Sequence, residues 1–131
     1  MITEDYCNFD TAKLLKEKGF DENTPVNYFV GDDKPRGCVV GEMIHHKRLE
    51  EDTHLIACPT LQMAMKWLRE VHHCVICITP LTFYCGEIVS KWEYCIWADD
   101  NTEVDEESSP RLDSYEEAAE AAIKYCLENL I

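Results

Sequence analysis

The sequence predicts an α+β domain in which an antiparallel sheet of about four strands has helices packed on one face. Three observations lead to this prediction. One central segment is apolar over most of a helical surface, two pairs of β-prone segments flank it, and each end of the chain carries a helix signal. The predicted order is α-β-β-α-β-β-α, which favours this architecture. A chain of 131 residues is expected to form a single domain, 1–131.

The first predicted helix covers residues 11–18, with Asp10 as its N-cap. Gly19 supplies the left-handed position that often ends a helix. Phe20 then lies where a Schellman motif packs a residue against Leu15. Because the helix is short, we expect it to depend on tertiary contacts.

The next two strands are predicted at residues 26–30 and 38–44, on the basis of alternation and β-propensity. Residues 31–37 are dense in turn formers and predict a longer loop between them. Residues 45–52 are polar and predict another loop. Residues 55–58 are either a short strand or an extended lead into the central helix.

The central helix begins after Thr60, a predicted N-cap, and is closed by His72 and His73. One arc of its helical wheel holds Leu61, Ala64, Met65, Leu68, Val71 and His72, and this arc is extended by Met63 and Trp67. The apolar arc spans roughly 200°, wider than the stripe of an ordinary surface helix. Met63 and Trp67 are either an interaction surface or core, and core packing is favoured because Met fills irregular gaps.

After the central helix, residues 74–79 form a β-branched run that is followed by Pro80. Residues 91–98 alternate in the manner of a half-buried strand, so we expect the two segments to pair. Gly86 and Ser90 mark a break between them.

The acidic segment 99–111 predicts a solvated connector, with mobility as one property of such a loop. The last helix follows a capping box, with Ser114 at the N-cap and Glu117 at N3. Its apolar positions recur at helical spacing: Tyr115, Ala118, Ala119, Ala122, Ile123, Cys126, Leu127 and Leu130.

The net charge of −14 disfavours direct binding to nucleic acid, since an acidic surface repels phosphate, and it suits solubility or a basic partner. No apolar run is long enough to cross a membrane. The acidic start of the chain lacks the apolar region of a secretory signal. We therefore expect a cytoplasmic location, where the eight cysteines are thiols rather than disulfides.

The sharpest chemical candidates are His73, Cys74 and Cys77, whose residue types suggest zinc. The two cysteines lie three apart on a predicted strand and therefore point to opposite faces, which disfavours a shared metal. Thioredoxin-like chemistry needs such a pair at a helix N-terminus, whereas this pair follows a helix C-terminus. Cys58, just before the central helix, is the least poor catalytic thiol. We predict no cofactor and favour a non-enzymatic role.

Three segments, 12–20, 59–72 and 114–127, together resemble a family of small uncharacterised proteins of gut anaerobic bacteria and of their phages and mobile elements. The matching residues are mainly helix formers and cover about a third of the chain. The resemblance implies a shared fold and a cytoplasmic accessory protein of prophage or mobile-element origin. It implies no catalytic residue.

Three functions follow as hypotheses. The first is a non-enzymatic protein-interaction module, with a homodimer as a corollary. The second is an acidic mimic of nucleic acid that inhibits a host DNA-binding protein. Its carboxylates would be Asp99, Asp100, Glu103, Asp105, Glu106 and Glu107. The third is a zinc- or thiol-dependent protein that uses Cys74 and Cys77.

Overall fold

The computed structural model describes residues 2–22, 24–31, 34–44, 55–98 and 111–131. Its elements are α1 Phe9–Glu17, β1 Thr24–Gly31, β2 Lys34–Ile44, β3 Leu55–Ala57, α2 Leu61–His72, β4 Val75–Tyr84, β5 Glu87–Trp97 and α3 Tyr115–Asn129. The α+β class and the predicted order of the main elements are confirmed. The segment that the sequence left open between strand and lead is the short strand β3.

The described strands form two antiparallel sheets, where the sequence predicts one sheet of about four strands. The first has the order β2-β1-β3 and the second is the hairpin of β4 and β5. The chain divides in the same way into two compact units, Met1–Ala64 and Met65–Ile131. Strand β1 pairs on both edges, with β2 and with β3, so its hydrogen-bonding capacity is used within the first unit.

Helix α1 begins earlier than the sequence predicts. Its N-cap is Asn8, whose side-chain Oδ1 accepts a hydrogen bond of 2.9 Å from the Thr11 amide. Asp10, the predicted cap, lies in the first turn, where a carboxylate favours the positive end of the helix dipole. The prediction for Asp10 was therefore wrong by two residues, because two neighbouring side chains are both good caps.

The end of α1 is the predicted Schellman motif. Gly19 has a φ of +94°, and its amide donates to the Lys16 carbonyl at 3.1 Å. The Phe20 amide donates to the Leu15 carbonyl at 2.9 Å, and both of these side chains are buried. In the first unit, α1 packs against β3.

Strands β1 and β2 are longer than predicted. They continue to Gly31 and Lys34, which pair with each other, so most of the predicted loop at 31–37 is strand. The predicted loop at 45–52 and the acidic segment as far as residue 110 lie outside the described residues.

Helix α2 has the predicted cap, since the Thr60 hydroxyl accepts a hydrogen bond of 3.1 Å from the Met63 amide. Most of the predicted apolar arc is buried: Leu61, Ala64, Met65, Trp67 and Leu68. Met63 and His72 are half-buried, and Val71, with 52% of its surface exposed, is the exposed member of the arc.

Strands β4 and β5 pair as the sequence predicts. Cys85 and Gly86 join them with φ values of 50° and 80°, as a two-residue type I′ turn requires. A bulge follows, because Thr82 of β4 faces two residues of β5, Val89 and Ser90. The predicted break at Ser90 is therefore an irregularity inside a continuous strand.

Helix α3 begins at the predicted cap. The Ser114 hydroxyl accepts from the Glu117 amide at 3.1 Å, and the Glu117 carboxylate accepts from the Asp113 amide at 3.1 Å. A standard capping box returns this second bond to the N-cap residue itself, so the closure here extends one residue further back.

In the second unit, α3 packs on β4 and β5. The Trp92 and Tyr115 rings meet edge to face with centroids 5.6 Å apart, which identifies the sheet face that α3 covers. Besides Met65, Trp67 and Leu68 of α2, the core of this unit comprises Cys74, Tyr94, Ile96, Ala118, Ala119, Ala122, Ile123, Cys126 and Leu127. Small alanines let the helix approach the sheet closely. No helix in the described ranges is long and apolar enough to span a bilayer.

Replacing Gly19 tests the end of α1. We expect Gly19→Ala to lower the free energy of unfolding by about 1 kcal/mol, because a Cβ disfavours the left-handed backbone. Nothing within 4 Å would clash with that Cβ, so the cost is conformational. Gly19→Asn should lose less, since Asn tolerates this region. Urea unfolding measures both, and equal stability of Gly19→Ala and the unmodified protein would contradict the assignment.

Candidate functional site

The hairpin of β4 and β5 has a second face, opposite to the one that α3 covers. Residues that are directly opposite in the register share a face, and successive residues alternate. We call this second face the dithiol face. Its members are Val75, Cys77, Thr79 and Leu81 on β4 and Lys91, Glu93, Cys95 and Trp97 on β5.

Two cysteines meet at the centre of the dithiol face. Cys77 and Cys95 are direct partners across the antiparallel strands, and both are half-buried thiols. Opposed residues in such a ladder have Cα atoms about 4.5 or 5.5 Å apart, depending on the hydrogen-bonding position. Sequence reasoning missed this pair, although it paired the two strands. The positions of the turn at Gly86 and of the irregularity at Ser90 together determine which residues of the two strands are opposite.

A different pair of cysteines lies on the α3 side. Cys74 and Cys126 are both buried, and a hydrogen bond joins their thiols. The Cys74 thiol also approaches the His72 carbonyl at 3.6 Å. Burial, followed by the effect of the neighbouring Cys74, raises the pKa of the Cys126 thiol to about 12. The Cys126 thiol therefore stays protonated, and both thiols are shielded from solvent.

The predicted zinc candidates are not brought together. Cys74 joins Cys126 on the α3 side, Cys77 joins Cys95 on the dithiol face, and His73 is exposed. In the described ranges, no three or more His, Cys, Asp or Glu side chains are grouped so that they could hold a metal ion. The argument from strand geometry, that Cys74 and Cys77 point to opposite faces, is confirmed.

The two histidines end α2 in different ways. His73 takes a left-handed conformation, with a φ of 56°, and turns the chain into β4. The His72 ring meets Trp67 edge to face with centroids 4.6 Å apart. Burial, and then the charge on His73, lowers the pKa of His72. The sequence predicts a protonated histidine on the last carbonyls, and the lowered pKa disfavours that form of His72.

The predicted interaction residues fall into two groups. Trp67 is buried and Met63 is half-buried, which agrees with the core packing that the sequence favoured for both. The acidic residues Asp99, Asp100, Glu103, Asp105, Glu106 and Glu107 lie outside the described part of the chain.

An exposed apolar pair lies beside the thiols on the dithiol face. Val75 and Trp97 are opposite each other and each is 37% exposed. Apolar residues that are exposed singly are normal, but two large ones in contact form a patch. The sequence analysis placed candidate contact residues on α2 and did not identify this pair. Alternation shows that a strand has two faces, but it does not show which face a helix will cover.

Charged residues occupy the other end of the dithiol face. Lys91 forms an ion pair with Asp113, and the Arg111 Nε lies 3.7 Å from the Glu93 carboxylate. Leu112, between the two loop residues, exchanges both backbone hydrogen bonds with Trp92, at 2.8 and 2.9 Å. This bridge aligns residues 111–113 along the edge of β5. Exposed pairs of this kind contribute little to stability.

The remaining described thiols differ in access. Cys58, the least poor catalytic candidate, is fully buried beside Cys7, whose carbonyl lies 3.4 Å from the Cys58 sulfur. Cys85 is exposed at the hairpin turn. Buried, hydrogen-bonded thiols are poor nucleophiles.

Alkylation of the native protein tests these environments. At about pH 8, a pKa of about 12 leaves roughly one Cys126 in 10⁴ as thiolate, and burial blocks the reagent as well. We expect iodoacetamide to modify Cys85 first and Cys126 last. Mass spectrometry of digested time points measures the order, and equal rates at the two residues would contradict the buried thiol pair.

Acid should destabilise the fold through His72. Its pKa is lowered in the folded state, so unfolded chains take up the proton first as the pH falls below about 6.5. Stability is then full above that pH and declines below it. In His72→Phe, which keeps an aromatic ring, the loss in free energy of unfolding between about pH 7 and pH 5.5 should be smaller. An unchanged loss would exclude His72 as the titrating group.

Comparisons of the chain with protein-family models, with curated proteins and with solved structures find no match. The resemblance of the three helical segments to a family of mobile-element proteins therefore stays a prediction. What the site does has to be argued from its own residues, and the dithiol face is where exposed apolar, charged and sulfur groups lie together.

Proposed function

We propose that this chain is a protein-interaction module, which acts by binding rather than by catalysis, and that its contact surface is the dithiol face. The observation that carries this proposal is the exposed pair of Val75 and Trp97. Covering apolar surface is the main favourable term in protein association, and Trp is enriched among the residues that dominate binding energy.

The arrangement of the face supports the same role. The apolar pair lies at one end, and the ion pairs of Lys91 and Glu93 lie at the other. Protein interfaces commonly combine an apolar part, which loses its contact with water, with polar residues beside it that stay partly solvated. The rim charges contribute orientation and association rate more than affinity.

A second copy of the chain is the partner that we propose. Two basic residues, Lys91 and Arg111, lie beside two acidic ones, Glu93 and Asp113, so the rim is self-complementary. A two-fold axis parallel to the strands would bring the apolar ends of two such faces together and would cover both Trp97 rings. This moves the proposed surface from Met63 and Trp67 on α2 to the hairpin.

The setting of the module is also a proposal. We propose a cytoplasmic accessory protein of prophage or mobile-element origin, on the basis of the three helical segments and the composition. The net charge of −14 repels anionic partners such as nucleic acid.

The expected outcome is concentration-dependent self-association that requires Trp97. We expect sedimentation equilibrium to detect a dimer whose dissociation constant rises at least about tenfold in Trp97→Ser, because a buried aromatic anchor contributes about 2 kcal/mol or more. Ile2→Ser is the matched control, since Ile2 is fully exposed and lies outside the face. That variant should associate as the unmodified protein does.

A strict monomer at high concentration would exclude the second copy as the partner. Equal association of the Trp97→Ser and unmodified chains would remove the dithiol face as the interface. Circular dichroism of the variant is the control for folding. An unchanged spectrum would show that a loss of association is not a loss of structure.

A further inference from the structure

We infer that Cys77 and Cys95 form a site of reversible oxidation, at which a low-molecular-weight disulfide converts the two thiols into a disulfide across β4 and β5. This inference stands on the register of the hairpin and on thiol access in the monomer, because self-association through the dithiol face would cover both thiols. It assigns to the chain a modification site that no spacing in the sequence indicates.

Geometry supports the bond directly. A disulfide requires Cα atoms about 4.4 to 6.8 Å apart, and opposed residues of an antiparallel ladder have Cα atoms about 4.5 or 5.5 Å apart. Cys77 and Cys95 are opposed, and both side chains lie on the same face. The bridge can therefore form without shifting either strand.

Access separates this pair from the other cysteines whose burial the structure describes. Cys7, Cys58, Cys74 and Cys126 are buried. Cys85 is exposed but lies in the turn, where the flanking pair is Tyr84 with Glu87 and no cysteine is opposite. Within the described ranges, Cys77 and Cys95 alone combine a directly opposed position with partial exposure of both thiols.

The reaction proceeds by two thiol–disulfide exchanges. The thiolate of one cysteine attacks a sulfur of the small disulfide, forms a mixed disulfide with it and releases one small thiolate. The opposed cysteine then loses its proton and attacks the protein sulfur of that mixed disulfide, which releases the second small thiolate. The protein loses two protons and two electrons, and the small disulfide takes them up to become two thiols.

Oxidised glutathione is the probe, applied to the full native chain. Peptide mapping should find Cys77 linked to Cys95, with glutathione on these two residues in less than about a tenth of the molecules, because the opposed thiol is already positioned to displace it. Cys85 should carry glutathione and reports that the reagent was active. A dithiol reductant should restore both thiols.

The variant Cys95→Ser tests the second exchange. Without the opposed thiol, glutathione should accumulate on Cys77, while the modification of Cys85 is unchanged. The result for the unmodified chain does not require this variant to fold, so the inference can be judged on either measurement.

Three results would overturn the inference. Cys77 and Cys95 could both stay reduced while Cys85 is fully modified, glutathione could persist on either of them in the unmodified chain, or either could be linked to a different cysteine. A monomeric protein that still forms the bridge would contradict the proposed self-association and leave this site intact.

Discussion

The antiparallel register of β4 and β5 is the constraint on which the second unit depends. Helix α3 covers one face of the hairpin and buries Tyr94 and Ile96 there. Because side chains alternate along a strand, the same pairing fixes what the dithiol face carries. Once the α3 side is buried in this register, Cys77 must lie opposite Cys95 and Trp97 must face away from α3.

Local features of the fold could be predicted because each depends on a few neighbouring residues. The Gly19 helix end and the Thr60 and Ser114 caps are hydrogen-bonded within five residues or fewer, so short sequence patterns identify them. The division into two sheets could not be predicted. It depends on β1 pairing with β3, a contact between distant segments that no local propensity encodes.

The candidate site shows the same difference between local patterns and contacts of distant segments. Opposite orientations for Cys74 and Cys77 follow from the period of a strand alone, and the structure confirms them. Finding Cys95 opposite Cys77 also required the position of the turn and of the bulge. The protonated form that the sequence predicts for His72 is disfavoured, because burial and the neighbouring His73 lower its pKa against the effect of the helix dipole.

The turn and the bulge opposite Thr82 together set which residues of β5 face α3. This register therefore depends on the exact number of residues in each strand. On the turn side of the bulge Phe83 pairs with Ile88, and beyond it Leu81 pairs with Lys91. At the bulge, β5 therefore uses one residue more than β4. Inserting one residue into β5 between the bulge and Tyr94 would place Tyr94 opposite Cys77 and would turn the apolar side of β5 away from α3. Evolutionary drift in this segment is therefore expected to conserve residue number more strictly than residue type, with gains and losses in matched pairs.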